Sequence, residues 1–295
     1  MADKVDLEYI NCELCGEKNS KNLFSFPPFH YVQCENCNLV YLNPRPNCDF
    51  INRLYRDCQY DYLDSDIKKD ITVEKELYFF RFSDRLKEIG TFKKKGRILD
   101  VGCAWGYFLF LAKKDGWDIY GTELSLVEAQ YAQREFSLNV FRGSLKDAKF
   151  PSRFFDVITL WHVLEHIPHP LEEMSEIRRI LKEGGLLAIE TPKITRLQDD
   201  AREHGSIFST LIHLFYYNNE TLNLLMEKAG FKIVRIRECG DSEAIKKIAN
   251  LRINFIKDFI IKYFRYLKWI KRFFQWIRGI LKMHKNIIVY AQPLQ

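Results

Sequence analysis

From about residue 96 onward, apolar runs of strand length alternate with stretches whose apolar positions recur every three or four residues. The runs are RILDVGC (97–103), WDIYGTE (117–123), NVFRG (139–143), FFDVITLW (154–161), LLAIET (186–191), FKIVRIR (231–237) and NIIVYA (286–291). They are rich in β-branched and aromatic residues, which suits buried strands. The stretches between them carry a helical period, as at 106–114 and at 171–182, where Gly184-Gly185 supplies a stop. Strands alternating with helices predict an α/β fold, a doubly wound Rossmann-like sheet of seven strands with helices on both faces. Before this pattern lie a turn-rich segment (1–47) and a polar, Tyr-rich, helical connector (48–95). The domain expectation is therefore 1–47, 48–95 and 96–295, the last interrupted by an insertion at 241–285.

A chain of 295 residues, 47% hydrophobic and 28% charged, can bury one large core plus a small accessory module. No window reaches the ~18 uninterrupted apolar residues of a membrane span, and no secretory signal pattern opens the chain, so a cytoplasmic protein is expected. The net charge of +6 is unevenly placed: residues 246–285 hold twelve Lys or Arg and one acid, a net +11 that leaves −5 elsewhere. Nucleic acid is thus disfavoured as a partner, because basic charge should spread over a binding face. In 254–283, Ile256, Ile260, Tyr263, Leu267, Ile270, Phe274, Ile277 and Leu281 recur on one helical face. Eight Lys or Arg and the aromatics Phe259, Phe264, Trp269, Phe273 and Trp276 stand among the other positions, which predicts a helix lying on an anionic membrane surface, peripheral and on the cytoplasmic side. A helix packed within the chain or in a homodimer is the alternative.

Cys12-x2-Cys15 and Cys34-x2-Cys37, eighteen residues apart, match a tetrahedral zinc site in which each knuckle lends two thiolates. With all four ligands from cysteine, no open position remains for chemistry. The expected ion is structural Zn2+, which folds a module too small to build its own core.

The run Asp100-Val101-Gly102-Cys103-Ala104-Trp105-Gly106 ends a strand and opens a helix, and Glu123 closes the next strand. A carboxylate there can accept both ribose hydroxyls of a nucleoside. A dinucleotide fingerprint would need a second glycine where Ala104 stands, and Asp100 would repel a pyrophosphate. An acid at that point suits a cationic amino-acid nucleoside instead.

This turn, Glu123, FDVITLWHVLEHIPHP, LKEGGLLAIETP and MEKAGFKIV together resemble class I S-adenosylmethionine-dependent methyltransferases. The phrase Cys34-Glu35-Asn36-Cys37-Asn38-Leu39-Val40-Tyr41-Leu42-Asn43-Pro44-Arg45-Pro46 resembles the bacterial branch with an N-terminal zinc ribbon. The resemblance covers residues 12 to about 237 and implies that 286–292 form a last, antiparallel strand. It implies that Asp100, Gly102, Cys103 and Gly106 line the methionine and ribose of S-adenosylmethionine, and that Glu123 holds the ribose with Leu124 beside it. Ser144 and Leu145 would border the adenine, and Trp161 would complete the cofactor site.

Beyond the strand ending at Trp161 come His162-Val163-Leu164-Glu165-His166-Ile167-Pro168. If this segment is helical, His162 and His166 share a face with Glu165 nearby. Either imidazole can take the proton of an acceptor hydroxyl; bracing of the loop by Glu165 and His166 is the other reading. Similar His-aromatic phrases in relatives mark His213, Tyr216 and Tyr217 as acceptor contacts, with core packing of the tyrosines equally open. The resulting expectation is methyl transfer to a hydroxyl or carbon of a small molecule, a sugar, a lipid-linked glycan or a related envelope metabolite. The alternatives are an RNA methyltransferase with a zinc module, a quinone-type O-methyltransferase, and an inactive zinc-ribbon adaptor.

Overall fold

The computed structural model describes residues 5–56, 71–194, 213–240 and 285–294. The basic amphipathic stretch 254–283 lies outside the described residues. In the N-terminal part, β1 (Leu7–Glu8) pairs with β5 (Arg45–Pro46), and β2 (Ser20–Phe26), β3 (Phe29–Cys34) and β4 (Val40–Leu42) form an antiparallel ribbon. Two helices follow, α1 (Cys48–Arg56) and α2 (Ile71–Phe92). Strands and helices then alternate through β6 (Arg97–Val101), α3 (Tyr107–Lys114), β7 (Asp118–Glu123), α4 (Leu126–Phe136), β8 (Val140–Arg142) and β9 (Phe155–Trp161). The chain continues through α5 (Pro170–Ile180), β10 (Leu181–Pro192), β11 (Phe215–Tyr216), α6 (Asn219–Lys228), β12 (Phe231–Gly240) and β13 (Lys285–Pro293).

All seven predicted strands enter one sheet, in the order β12-β13-β10-β9-β6-β7-β8. The pairs from β10 to β8 are parallel, and β13 runs antiparallel between β10 and β12. The chain leaves β6 for β7 on one side and later returns to β9 on the other. The ends of β6 and β9 therefore flank the crevice where an open α/β sheet binds its ligand.

The ribbon does not close its sheet alone. β11 joins β4 antiparallel at Phe215↔Tyr41 and Tyr216↔Val40, so a strand from far along the chain forms the ribbon's fourth member. One apolar cluster runs from Tyr31, Val40 and Leu42 through Phe215 to Ile158 and Ile189. The second packs against the other face of the large sheet, with Phe108 of α3 and Ala132 of α4 over Val157 and Leu186.

Two local expectations are corrected. Gly184 and Gly185 do not cap a helix; α5 ends at Ile180 and the glycines fall in the register break of β10 between Leu181 and Leu186. Nor is 162–166 a regular helix: only Leu164–His166 form a 3₁₀ turn, and His162 sits at φ 58°. His162 and His166 therefore do not share a helical face. A left-handed, non-glycine backbone at that point is held in place by its surroundings, here a hydrogen bond from the His162 N–H to the Glu190 carbonyl at 2.8 Å.

Candidate functional site

The turn after β6 takes left-handed backbone at Gly102 (φ 64°), Ala104 (φ 45°) and Gly106 (φ 77°). A Cβ on Gly102 would stand 2.8 Å from Val163 Cγ2, so the missing side chain lets the 162–166 loop press onto the turn. Glu123, at the end of β7, accepts the Ala104 N–H on Oε2 and the Ser125 N–H on Oε1, both at 2.8 Å. The carboxylate thus braces the turn, and each oxygen keeps a lone pair for a ligand hydroxyl. Burial raises the Glu123 pKa, while the Ser125, Ala104 and Leu124 N–H groups oppose the rise.

Asp100 is buried, and burial pushes its carboxyl to about 8; the Glu123 charge adds to this and a hydrogen bond from Thr159 opposes it. Thr159 Oγ1 donates to Asp100 Oδ1 at 2.6 Å. Two acids beside a left-handed turn fit a cationic nucleoside, the kind of ligand the sequence predicts for this end of the sheet. Cys103 and Leu145 are buried, and Leu124 is half-buried. Trp161 packs on Phe108 with ring centroids 5.2 Å apart, and its indole N–H finds no partner among the described residues. Ser144 is tied to Asp147, its Oγ 2.7 Å from Oδ2, within the turn after β8.

The sulfurs of Cys12, Cys15, Cys34 and Cys37 lie within 4.8 Å of one another. Cys12 to Cys37 and Cys15 to Cys34 are each 3.5 Å apart, with no disulfide. A tetrahedral ion with Zn–S bonds of ~2.3 Å holds its sulfurs ~3.8 Å apart, so the donor set and spacing fit structural zinc. Burial raises Cys15, but the Glu17 backbone, Asn36 and the neighbouring cysteines outweigh it and bring the thiol to about 7.

At the reacting end Glu165 is fully buried and Thr191 Oγ1 donates to its Oε2 at 3.0 Å. Burial works to raise this carboxyl; the imidazoles of His162, His166 and His213 outweigh it and hold it at about 2. His166 Nε2 lies 3.9 Å from Glu165 Oε1, and the His166 and His213 rings are 4.9 Å apart. The structure therefore gathers Glu165, His166 and His213 at one point. Tyr216 and Tyr217 are fully buried, so neither ring offers a face to an acceptor, and packing is the reading their burial fits.

His162 faces two ways. Its Nδ1 is 3.3 Å from Glu165 Oε1, and its Nε2 is 3.0 Å from an Arg81 nitrogen. Burial favours the neutral ring, but Glu165 and Glu190 outweigh it and raise the His162 pKa. A guanidinium has only hydrogens to offer, so the nitrogen it meets is an acceptor. His162 is thereby a link between the Glu165 pair and a buried ionic network at the end of β10. In that network Glu190 receives Arg85 in two bonds (2.8 and 3.2 Å), Arg81 at 3.1 Å and Asn286 at 2.9 Å.

Sequence reasoning missed this network, although Glu190 as a lone acid inside LLAIET was a visible signal. It also missed Arg45, which is buried and ties the ribbon to the reacting loop. Arg45 donates to Glu8 at 2.8 Å, Glu13 at 3.2 Å and the Pro168 carbonyl at 2.8 Å.

A seven-stranded sheet with one antiparallel member, a glycine turn after its first strand and an acid closing the second define the class I methyltransferase architecture. Residues 75–236, more than half of the chain, match the Methyltransferase domain family, and the chain belongs to this family of S-adenosylmethionine-dependent methyltransferases. A tRNA U34 carboxymethyltransferase of Hydrogenovibrio crunogenus is 28% identical over 156 residues, 48% of this chain and 46% of that protein. A ubiquinone biosynthesis O-methyltransferase of Glaesserella parasuis is 32% identical over 116 residues, 36% of this chain and 48% of that protein. The chain thus spans about half the length of the curated relatives it matches. Among solved structures, phosphoethanolamine N-methyltransferase 2 of Haemonchus contortus with S-adenosyl-L-methionine superposes with a TM-score of 0.56 at 17% identity, over 87% of this chain and 63% of that one. That likeness establishes the fold.

Proposed function

We propose that this chain transfers the methyl group of S-adenosylmethionine to a hydroxyl of a small acceptor bound over Glu165 and His166. The observation that carries the reading is the contact of Val163 with Gly102, which sets the Glu165–His166 pair directly beside the cofactor turn. The acceptor hydroxyl loses its proton to His166 as its oxygen attacks the methyl carbon in line. The O–CH3 bond forms, the S–CH3 bond breaks, and the electron pair stays on sulfur as a neutral thioether. His162 is engaged at Nδ1 and Nε2 and serves to position Glu165 rather than to take the proton.

The 32%-identical ubiquinone biosynthesis O-methyltransferase supports a quinone-type acceptor. The sugar or lipid-linked glycan expected from sequence finds no counterpart in the names of these relatives. An RNA acceptor is the second reading, favoured by the tRNA-modifying relatives. Labelled S-adenosylmethionine offered with catechols, nucleotide sugars or tRNA separates the three; label entering tRNA alone would overturn the small-acceptor reading. With the true acceptor, His166→Ala is expected to lower kcat about a hundredfold while cofactor affinity stays near that of the native chain. Unchanged kcat would remove His166 from the reaction.

We retain the division into a zinc ribbon (1–47), a connector (48–95) and a methyltransferase domain (96–295), with Cys12, Cys15, Cys34 and Cys37 holding one zinc. We also retain 254–283 as a membrane-surface helix. Among the described residues no helix is long and apolar enough to cross a membrane. Sedimentation with anionic vesicles, weakening as salt rises, is the expected behaviour. Equal binding to neutral vesicles would move this segment to a protein interface.

A further inference from the structure

We propose that Cys48 is a modifiable thiol, with His169 as its base and Glu13 as the carboxylate that orients the base, and that it forms mixed disulfides with low-molecular-weight disulfides. The three side chains come from the ribbon, the first residue of α1 and the turn before α5, and none belongs to the methyl-transfer site. His169 Nδ1 lies 3.1 Å from Glu13 Oε1, and its Nε2 lies 3.4 Å from Cys48 Sγ. The same Glu13 oxygen receives the buried Arg45 guanidinium at 3.2 Å, which fixes the carboxylate end of the relay.

These contacts assign each proton. A carboxylate only accepts, so the imidazole N–H stands at Nδ1 and Nε2 is the bare nitrogen. The Cys48 S–H is therefore the donor of the 3.4 Å contact and offers its proton to a base. A nucleophile, a base and a third group that orients the base form the arrangement that activates thiols and hydroxyls. Burial pushes the Cys48 thiol up, Arg45 opposes the rise, and Glu8, Glu13 and Asp49 add to it. The thiol thus stays protonated at neutral pH, and its attack depends on the base in contact with it.

The site is open to a small reagent. The His169 side chain is 45% exposed and Cys48 is half-buried, whereas Cys103 is buried and the four ribbon cysteines converge on one another. Cys239 is also half-buried, but it meets Arg85 at 3.3 Å and Glu190 at 3.7 Å instead of an imidazole.

In the reaction Cys48 gives its proton to His169 Nε2 as its sulfur attacks one sulfur of the disulfide. A new S–S bond forms and the old one breaks. The leaving sulfur takes the electron pair and then the proton from His169. Cys48 is oxidised, and the departing half of the reagent is reduced to a thiol. The effect on the neighbouring loop rests on the methyl-transfer reading. Arg45 holds Glu13 and the Pro168 carbonyl together, and Pro168 ends the segment that carries Glu165 and His166. A substituent on Cys48 displaces His169 from Glu13 and loosens this seam, so turnover falls until a thiol reductant removes it.

The test exposes the full, zinc-loaded chain to oxidised glutathione and follows the adduct at each cysteine by peptide mass mapping. Cys48 is expected to react about tenfold or more faster than Cys239, and His169→Ala to slow Cys48 by about the same factor at neutral pH. Raising the pH should close the gap between the two chains, because hydroxide then removes the thiol proton; a merely structural loss would not recover. No adduct at Cys48, or an equal rate in a His169→Ala chain that thermal unfolding shows to be folded, overturns the proposal. Turnover with a catechol is read on the same samples. It should fall as the adduct forms, return with dithiothreitol, and be insensitive to oxidised glutathione in Cys48→Ser. An adduct that leaves turnover unchanged overturns the coupling to the loop. Absence of turnover in every sample rejects that acceptor, and the mass readout then decides the thiol site by itself.

Discussion

Stripping the ion from Cys12, Cys15, Cys34 and Cys37, or replacing Cys34 with Ser, is expected to unfold the ribbon and abolish turnover while leaving the large sheet folded. Structural zinc contributes on the order of 10–16 kcal/mol in small zinc modules, as much as the whole stability of many domains. Tyr31, Val40, Tyr41 and Leu42 are buried, but they come from short strands, one of which ends at Cys34, and an ion held by the four cysteines would anchor them. The loss should spread beyond the ribbon. Among the described residues β11 pairs in its sheet with β4 alone, and the His213 carbonyl is held by Tyr31, so the segment carrying His213 loses its frame. Displacing a group at the reacting end by about 1 Å costs on the order of a hundredfold in rate. Among the described residues the parallel strands β6 to β10 belong to a sheet separate from the ribbon sheet, so cofactor binding should survive. Elemental analysis should find one zinc per chain, and hydrogen exchange after chelation should rise in 29–42 and 213–217 before it rises in 97–101. Full turnover by chelated protein would refute the structural role.

The strands of the large sheet were legible because each is a short apolar run bounded by turn residues, and β13 was expected as the last, antiparallel strand. The cofactor end was legible for a different reason. A left-handed turn and a strand-ending acid must be adjacent in sequence to their strands, so Asp100, Gly102, Gly106 and Glu123 stand in fixed order along the chain. The reacting end is assembled from distant pieces and was read only in fragments. Nothing local places His213 beside Glu165. That neighbourhood depends on β11 joining the ribbon, and a two-residue strand has no periodicity to detect. Burial was equally hidden for Tyr216 and Tyr217, because an aromatic pair looks the same in a core as at a pocket wall. The φ of His162 and the closure of Arg81 and Arg85, both from α2, on Glu190 are likewise tertiary facts.

Glu123→Ala is expected to reduce affinity for S-adenosylmethionine by about a thousandfold. Two ribose hydroxyls lose an ionised acceptor, and hydrogen bonds to charged groups are each worth ~1.5–3 kcal/mol. Part of the loss comes through the turn itself, since the N–H groups of Ala104 and Ser125 lose their 2.8 Å partner. Glu123→Gln separates these contributions: the amide keeps one acceptor oxygen for the turn but has no charge, so its affinity should fall between those of the native chain and Glu123→Ala. The same titrations carry a pH signature from Asp100, whose carboxyl is pushed by burial to about 8. Below that value the free protein holds Asp100 neutral, while a bound sulfonium and ammonium favour the ionised form. Binding therefore releases a proton, so affinity should climb as pH rises toward about 8 and level off above it. S-adenosylhomocysteine lacks the sulfonium charge and should show a shallower slope. Calorimetry in buffers of different ionisation enthalpy reads both effects, and equal affinity of the native and Glu123→Ala chains would reject this carboxylate as the ribose ligand.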